Sequence, residues 1–380
     1  MLEHGGRLRR AAVEYGLPLA EWLDLSTGIN PNGWPVPPIP AETWVRLPED
    51  DDGLSEAACA YYGARHALAV AGSQAAIQSL PRLYRQLHGP SRVGVAAHGY
   101  AEHAQAWGTA GHEVVALPDA PVGCGYRRVY AGTWPPSFGG LVLRLGALSG
   151  ASSEARTASV NAMRIASLST SYELPDDLDV LLLIHPNNPT GQTYAPATLL
   201  AWHERLAARG GWLVIDEAFM DCTPESSLAA HAHLPGLIVL RSLGKFFGLA
   251  GARVGFVLAE AALLERLRGL LGPWAVCGPA RHIATLALRD TAWQDAARPK
   301  LIAAAARLAD VLAHHGLPPS GGSALFQRVE TPRANEIHAA LARQGILTRL
   351  FEQPASLRFG LPGTASEWTR LDAALAKILP

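Results

Sequence analysis

The stretch RSLGKFFGLAGARVGF, Arg241 to Phe256, holds a single lysine, Lys245, between two short apolar runs, LIVLRSL and ARVGFVLA. Only three of the chain's 32 Lys and Arg residues are lysines: Lys245, Lys300 and Lys377. Where a positive charge suffices, this sequence uses Arg. A guanidinium cannot give up its proton or form an imine, whereas a lysine of lowered pKa does both. The plain alternative is a chance surface lysine at a turn. The flanking residues are apolar or Gly rather than charged, which speaks against it.

Outward from that stretch, HALAVAG, SRVGVAA, HEVVAL, DVLLLIHP, GWLVIDEAF and LIVLRSL read as strands, with helical segments between several of them. Short apolar runs alternating with helices predict an α/β fold with a mostly parallel sheet sandwiched by helices. ARVGFVLA reads as one more strand of that sheet. Residues 1–45 form an arm, residues 46–265 the large domain and residues 266–380 a smaller α+β C-terminal domain. Residues 121–172, rich in Ser, Ala and Gly with weak periodicity, read as an atypical surface insertion, a binding loop being the alternative.

At 380 residues the chain is long enough for two domains. A formal net charge of −1 gives no sign of nucleic acid or an anionic membrane as partner. No run of 18 apolar residues and no apolar signal core appear, so a cytoplasmic protein is expected. Cys59, Cys124, Cys222 and Cys277 are scattered and read as reduced thiols, with no metal site.

Four motifs fall at or just after strand ends, where open α/β sheets bind ligands. In VAGSQAAI a strand ends, Gly72 permits a close approach and a helix begins at about Ser73, a site suited to an anion. Ser is also an ordinary N-cap. In IHPNNPTG, Asn188 can aim its amide at a ligand, or N-P-T-G is simply a turn. In WLVIDEAF, Asp216 closes a buried strand, and such a carboxylate needs a partner, either a protonated ring nitrogen or backbone N–H groups. Finally, Ser242 and Lys245 lie three apart, with Arg253 eight further on.

This order of anion loop, Asn-Pro-x-Gly, strand-end Asp and Ser-x-x-Lys with a following Arg resembles the fold-type-I pyridoxal-phosphate enzymes of the aspartate-aminotransferase superfamily, most closely the histidinol-phosphate aminotransferase branch. The N-terminal HGGRLRRAAVEYG, then LDLSTGINPNG, RLPEDDDGLSEAACAYYGA and LRFGLPG, is similar to the threonine-phosphate decarboxylases of cobalamin biosynthesis. The resemblance implies a homodimer with pyridoxal 5'-phosphate as cofactor and a small phosphorylated amino acid as substrate. It makes Lys245 the residue that carries the cofactor and Asp216 the partner of its pyridine nitrogen. Asn188 meets the ring's 3-oxygen and Tyr100 stacks on the ring. Gly72, Ser73, Gln74, Ser242 and Arg253 hold the cofactor phosphate. Arg358 takes the substrate carboxylate, and His4, Gly28 and Arg349 the substrate's phosphate and backbone.

Two positions depart from the superfamily pattern. Phe219 stands where many members carry a Tyr whose hydroxyl also meets the ring oxygen. Leu47, in RLPED, stands where a Tyr commonly reaches the neighbouring subunit's phosphate. The activity implied is decarboxylation of threonine phosphate, with an aminotransferase on the same scaffold, acting on histidinol phosphate or a related amino acid, as the alternative. A non-catalytic cofactor-sensing domain of a transcription regulator fits less well, because no basic helix-turn-helix pattern appears.

Overall fold

The structure, a computed structural model, describes residues 5–118 and 174–379. His4 and the whole of the segment 121–172 lie outside the described residues. In chain order the elements are α1 (Leu8–Tyr15), β1 (Leu23–Asp24), α2 (Glu42–Val45), α3 (Leu54–Tyr62), β2 (Leu68–Val70), α4 (Ser73–His88), β3 (Arg92–Ala96), α5 (Ala101–Thr109) and β4 (Glu113–Leu117). Next come β5 (Val180–Ile184), α6 (Pro196–Ala207), β6 (Trp212–Asp216), β7 (Leu237–Ser242), β8 (Gly255–Leu258), α7 (Ala261–Leu271), α8 (Gly278–Arg289) and α9 (Thr291–His314). The chain closes with β9 (Gly321–Ser323), β10 (Phe326–Glu330), α10 (Ala334–Ala342), β11 (Ile346–Leu347), β12 (Arg349–Phe351), β13 (Ser356–Gly360) and α11 (Ala365–Ile378).

Seven strands form one sheet in the order β2-β8-β7-β6-β5-β3-β4. All its neighbours pair in parallel except β8, which runs against both β2 and β7. The central strands VLLLI and WLVID are buried at every position. Successive side chains point to opposite faces, and both faces are covered. Val180, Leu182 and Val214 join a core closed by α4, α5 and α7, while Leu181, Leu183 and Ile215 join the one closed by α3, α6, α8 and α9. That two-sided burial explains why these strands read as unbroken apolar runs rather than alternating ones. The expected mostly parallel α/β sheet is present.

A second sheet, antiparallel, has the order β12-β13-β10-β9. The arm is fastened beside it, β1 pairing in parallel with β11 through Leu23↔Ile346 and Asp24↔Leu347. The two sheets approach each other backbone to backbone. A Cβ on Gly191, itself at φ +74, would lie 2.0 Å from the Gly322 carbonyl, and one on Gly321 would lie 2.0 Å from that of Thr190. Only glycine fits at this seam.

Beneath the sheet's C-terminal edge Arg241, fully buried, donates to Glu217 (2.6 Å) and Asp221 (2.7 Å), and the Tyr61 hydroxyl donates to Asp221 (3.0 Å). Burial pulls the guanidinium's pKa down, but Asp221 and Glu217 more than offset it and raise it, so it stays charged. This cluster clamps β6 to β7, one residue from Asp216 and one from Ser242. Breaking such a buried ion cluster by removing one partner costs roughly 3–5 kcal/mol.

Candidate active site

Gly72, Ser73, Tyr100, Asn188, Asp216, Ser242 and Lys245 lie at or just after the C-terminal ends of strands of the large sheet, while Arg349 and Arg358 lie on the second sheet. At the end of β2, Gly72 has φ +71, and a Cβ there would sit 2.6 Å from a guanidinium nitrogen of Arg253. Arg253 is itself held in the left-handed region at φ 55, with Nη1 donating to the Ala250 carbonyl at 3.4 Å. Helix α4 starts at Ser73 with no side-chain cap. A Cβ on Gly255 would lie 2.6 Å from the Ser73 backbone nitrogen, so β8 runs directly under that helix start. Ser242 closes β7, its hydroxyl accepting from the Gly244 N–H at 3.3 Å. An uncapped helix N-terminus, a hydroxyl and an arginine make a cup for an anion of phosphate size. The Gln74 side chain donates to Glu102 at 2.9 Å.

Asp216, 4% exposed, closes β6. Its Oδ1 accepts from the Ala218 N–H at 3.1 Å, and its Oδ2 lies 2.9 Å from Nε2 of buried His103. His103 was not singled out in the sequence. It lies three residues after Tyr100, one helical turn along α5, and the two rings meet edge-on at 6.1 Å. Burial, Glu102 and Asp216 raise the Tyr100 phenol to about 12, so it stays protonated.

Lys245 lies in the loop after β7, partly open to the same cleft. Burial of its amine, then the charge of Arg358, pulls its pKa down to about 8 against the opposing pull of Asp216, with Arg253 adding to the fall. The amine stands 5.2 Å from the Phe219 ring centre. Phe219 packs edge-on against Phe326 at 5.2 Å, and that pair fills the space beside Gly28. A Cβ on Gly28 would lie 2.8 Å from Phe219 and 3.1 Å from Phe326. Gly28 therefore provides room for an aromatic wall, a role its place in STGINP did not reveal.

Asn188 follows β5, and its Oδ1 accepts from Arg358 Nη1 at 2.5 Å. That contact fixes the amide's orientation and directs its NH₂ away from Arg358. Arg358 also donates to the Ser26 carbonyl at 2.7 Å, while its Nε is buried without a partner among the described residues. Across β12–β13, Arg349 stands directly opposite Arg358. Directly opposed residues share a face of the sheet. Burial and the Arg349 charge lower the Arg358 guanidinium to about 10, with Asp24 opposing. Arg349 borders a cleft of about 250 Å³ beneath α1, together with Gly5, Arg7, Ser26 and His338. His4, expected here, lies outside the described residues, but the neighbouring Gly6 N–H donates to Ser26 Oγ at 2.7 Å.

A buried strand-end carboxylate, an oriented amide, an amine of lowered pKa and a phosphate-sized cup are what pyridoxal phosphate requires of a protein. The donor set fits it, with Asp216, Asn188, Lys245 and the cup around Ser73, Ser242 and Arg253 in those four roles. Known proteins agree. The threonine-phosphate decarboxylase of Pseudomonas aeruginosa is 54% identical over 375 residues, spanning 99% of this chain and 97% of that protein. A histidinol-phosphate aminotransferase from Sinorhizobium meliloti, solved in complex with pyridoxal-5'-phosphate, shares the fold at TM-score 0.72 and 19% identity, covering 100% of this chain and 95% of that one. The L-threonine-O-3-phosphate decarboxylase of Porphyromonas gingivalis does so at TM-score 0.68 and 17% identity, covering 93% and 98%. The sequence profile described as aminotransferase class I and II matches residues 143–375, and with that profile and a near full-length relative in agreement, the chain belongs to this family.

Proposed function

We propose that this protein decarboxylates L-threonine O-3-phosphate to (R)-1-aminopropan-2-yl phosphate and CO₂, using pyridoxal 5'-phosphate, in cobalamin biosynthesis. The observation that carries this reading is the facing pair Arg358 and Arg349. Like charges directly opposed in a sheet repel, and a substrate with both a carboxylate and a phosphate offsets the two together. The likeness to the Pseudomonas aeruginosa enzyme supports it.

The bound cofactor supplies an electron sink for the Cα–CO₂⁻ bond that breaks. Everything else falls to the chain's own residues. Of Arg358's five N–H donors, two are used on Asn188 and Ser26, leaving others to orient the substrate carboxylate. Arg349 holds the phosphate. Asp216, kept in place by His103 and Ala218, holds a proton on the pyridine nitrogen. Lys245, with a pKa near 8, returns a proton to the substrate Cα after CO₂ leaves.

Once CO₂ is lost, the product keeps only its phosphate. Arg349→Ala should therefore weaken inhibition by aminopropanol phosphate by about tenfold to a hundredfold, the loss typical of one charged hydrogen-bond partner. Arg358→Ala should weaken threonine phosphate far more than the product. Inhibition constants in the two variants, with an assay for oxo-acid-dependent turnover, decide the matter. Equal losses in both, or turnover that needs an oxo-acid, would overturn the decarboxylase reading.

The chain is read as a cytoplasmic homodimer. Cys59, Cys222 and Cys277 are free thiols, and among the described residues no helix is long and apolar enough to cross a membrane. Around α2 and the approach to α8, Trp44, Val45, Leu47 and Trp274 are 67%, 81%, 64% and 59% exposed. So much exposed apolar surface suits a second copy. Trp44→Glu is expected to shift the protein toward monomer in sedimentation experiments, and a variant that sediments unchanged would place the interface elsewhere.

A further inference from the structure

Asn187, next to Asn188, is 2% exposed. Its side-chain NH₂ donates to the His98 carbonyl (2.7 Å) and to the Thr190 hydroxyl (2.7 Å). The amide cannot be turned over, because its oxygen would then face the His98 carbonyl. In this orientation its Oδ1 is buried with no partner among the described residues. A buried acceptor left unpaired is a stability cost. A side chain retained at such a cost is poorly explained by folding alone.

Its bonds span two loops. His98 lies two residues before Tyr100, in the turn between β3 and α5, and Thr190 lies in the turn after β5 that presents Asn188. The Asn187 backbone belongs to that second turn, its N–H donating to the Gln192 carbonyl (2.8 Å) and its carbonyl accepting from the Gly191 N–H (2.7 Å). We infer that Asn187 is a positioning residue that ties the Tyr100 loop to the Asn188 turn, so that the two groups assigned to the cofactor ring are held at one fixed separation. The inference rests on the reading of Tyr100 and Asn188 as ring contacts.

A double-mutant cycle tests it. Pyridoxal phosphate is titrated by absorbance into the apo forms of wild type, Asn187→Ala, Tyr100→Ala and the double variant. Asn187→Ala should weaken binding about threefold to tenfold, the span of one net hydrogen bond. In the Tyr100→Ala background it should add less than about twofold, because the loop it holds no longer carries the ring. The apo thermal midpoint of Asn187→Ala should fall as the His98 carbonyl and the Thr190 hydroxyl lose their donor, so binding is titrated at a temperature where every apo form is folded. Asn187→Asp keeps the volume but sets an oxygen against the His98 carbonyl, and should bind at least as weakly as Asn187→Ala; it stands in if the alanine variant does not fold. Full additivity, or no loss on removing Asn187, overturns the tie while Tyr100 keeps its role. Unchanged affinity in Tyr100→Ala overturns the reading of Tyr100 itself and the tie with it.

Discussion

Lys245→Ala is expected to lower turnover by at least ~10³-fold, because the proposed function has this one residue both carry the cofactor and move the proton. Lys300→Ala and Lys377→Ala should leave it near wild type, since both residues are exposed on the helices α9 and α11. Lys245→Arg should fail as completely as alanine, because the guanidinium stays protonated. Borohydride trapping followed by peptide mapping should find the pyridoxyl label on Lys245, and a label on either other lysine would sink the assignment. The pH dependence follows from the pKa near 8. Covalent capture of pyridoxal phosphate by the apoenzyme should rise with pH and level off above about 8. A rate still climbing toward pH 10 would mark an ordinary lysine. Between about 8 and the unfolded value of 10.5 the unfolded chain binds more protons, so the apoenzyme gains stability as pH rises through that window.

Asp216→Ala is expected to retain cofactor through the phosphate cup yet turn over at least ~10²-fold more slowly, the order lost when one preorganised electrostatic partner is removed. The variant also leaves His103 Nε2, at present 2.9 Å from Oδ2, buried without its carboxylate. That should cost about 1–3 kcal/mol of apoenzyme stability. Steady-state rates and thermal unfolding of the apo form measure the two effects separately. Near wild-type turnover would reduce Asp216 to a structural strand end.

The sequence made the sheet legible because β5 and β6 are buried on both faces and so write themselves as apolar runs. The reversal of β8 was less visible. The link from Ser242 to Gly255 holds no crossover helix, and without one the chain returns antiparallel. Lys245, Asp216 and Asn188 stood out because each is a costly or special residue at a strand end. His103 was within reach, one helical turn from Tyr100. The pairing of Arg349 with Arg358 was not, since their opposition is set by the register of β12 and β13 and not by their spacing of nine. The packing of Gly28 against Phe219 and Phe326 was not legible either, since those rings come from distant parts of the chain. That the Gln74 side chain is taken by Glu102, 28 residues away, was likewise not legible in the sequence.

The glycine seam between the two sheets bears on any redesign of this enzyme. Asn188 stands on one side of it and Arg358 on the other, and their contact spans the gap at 2.5 Å. No side chain sets that spacing, since Gly191 and Gly322 meet through their backbones. An engineer widening the substrate range can exchange the residues that line the cleft and leave this distance intact. A single added methyl group at Gly191 or Gly321 would instead wedge the sheets apart and detune carboxylate grip and amide orientation together.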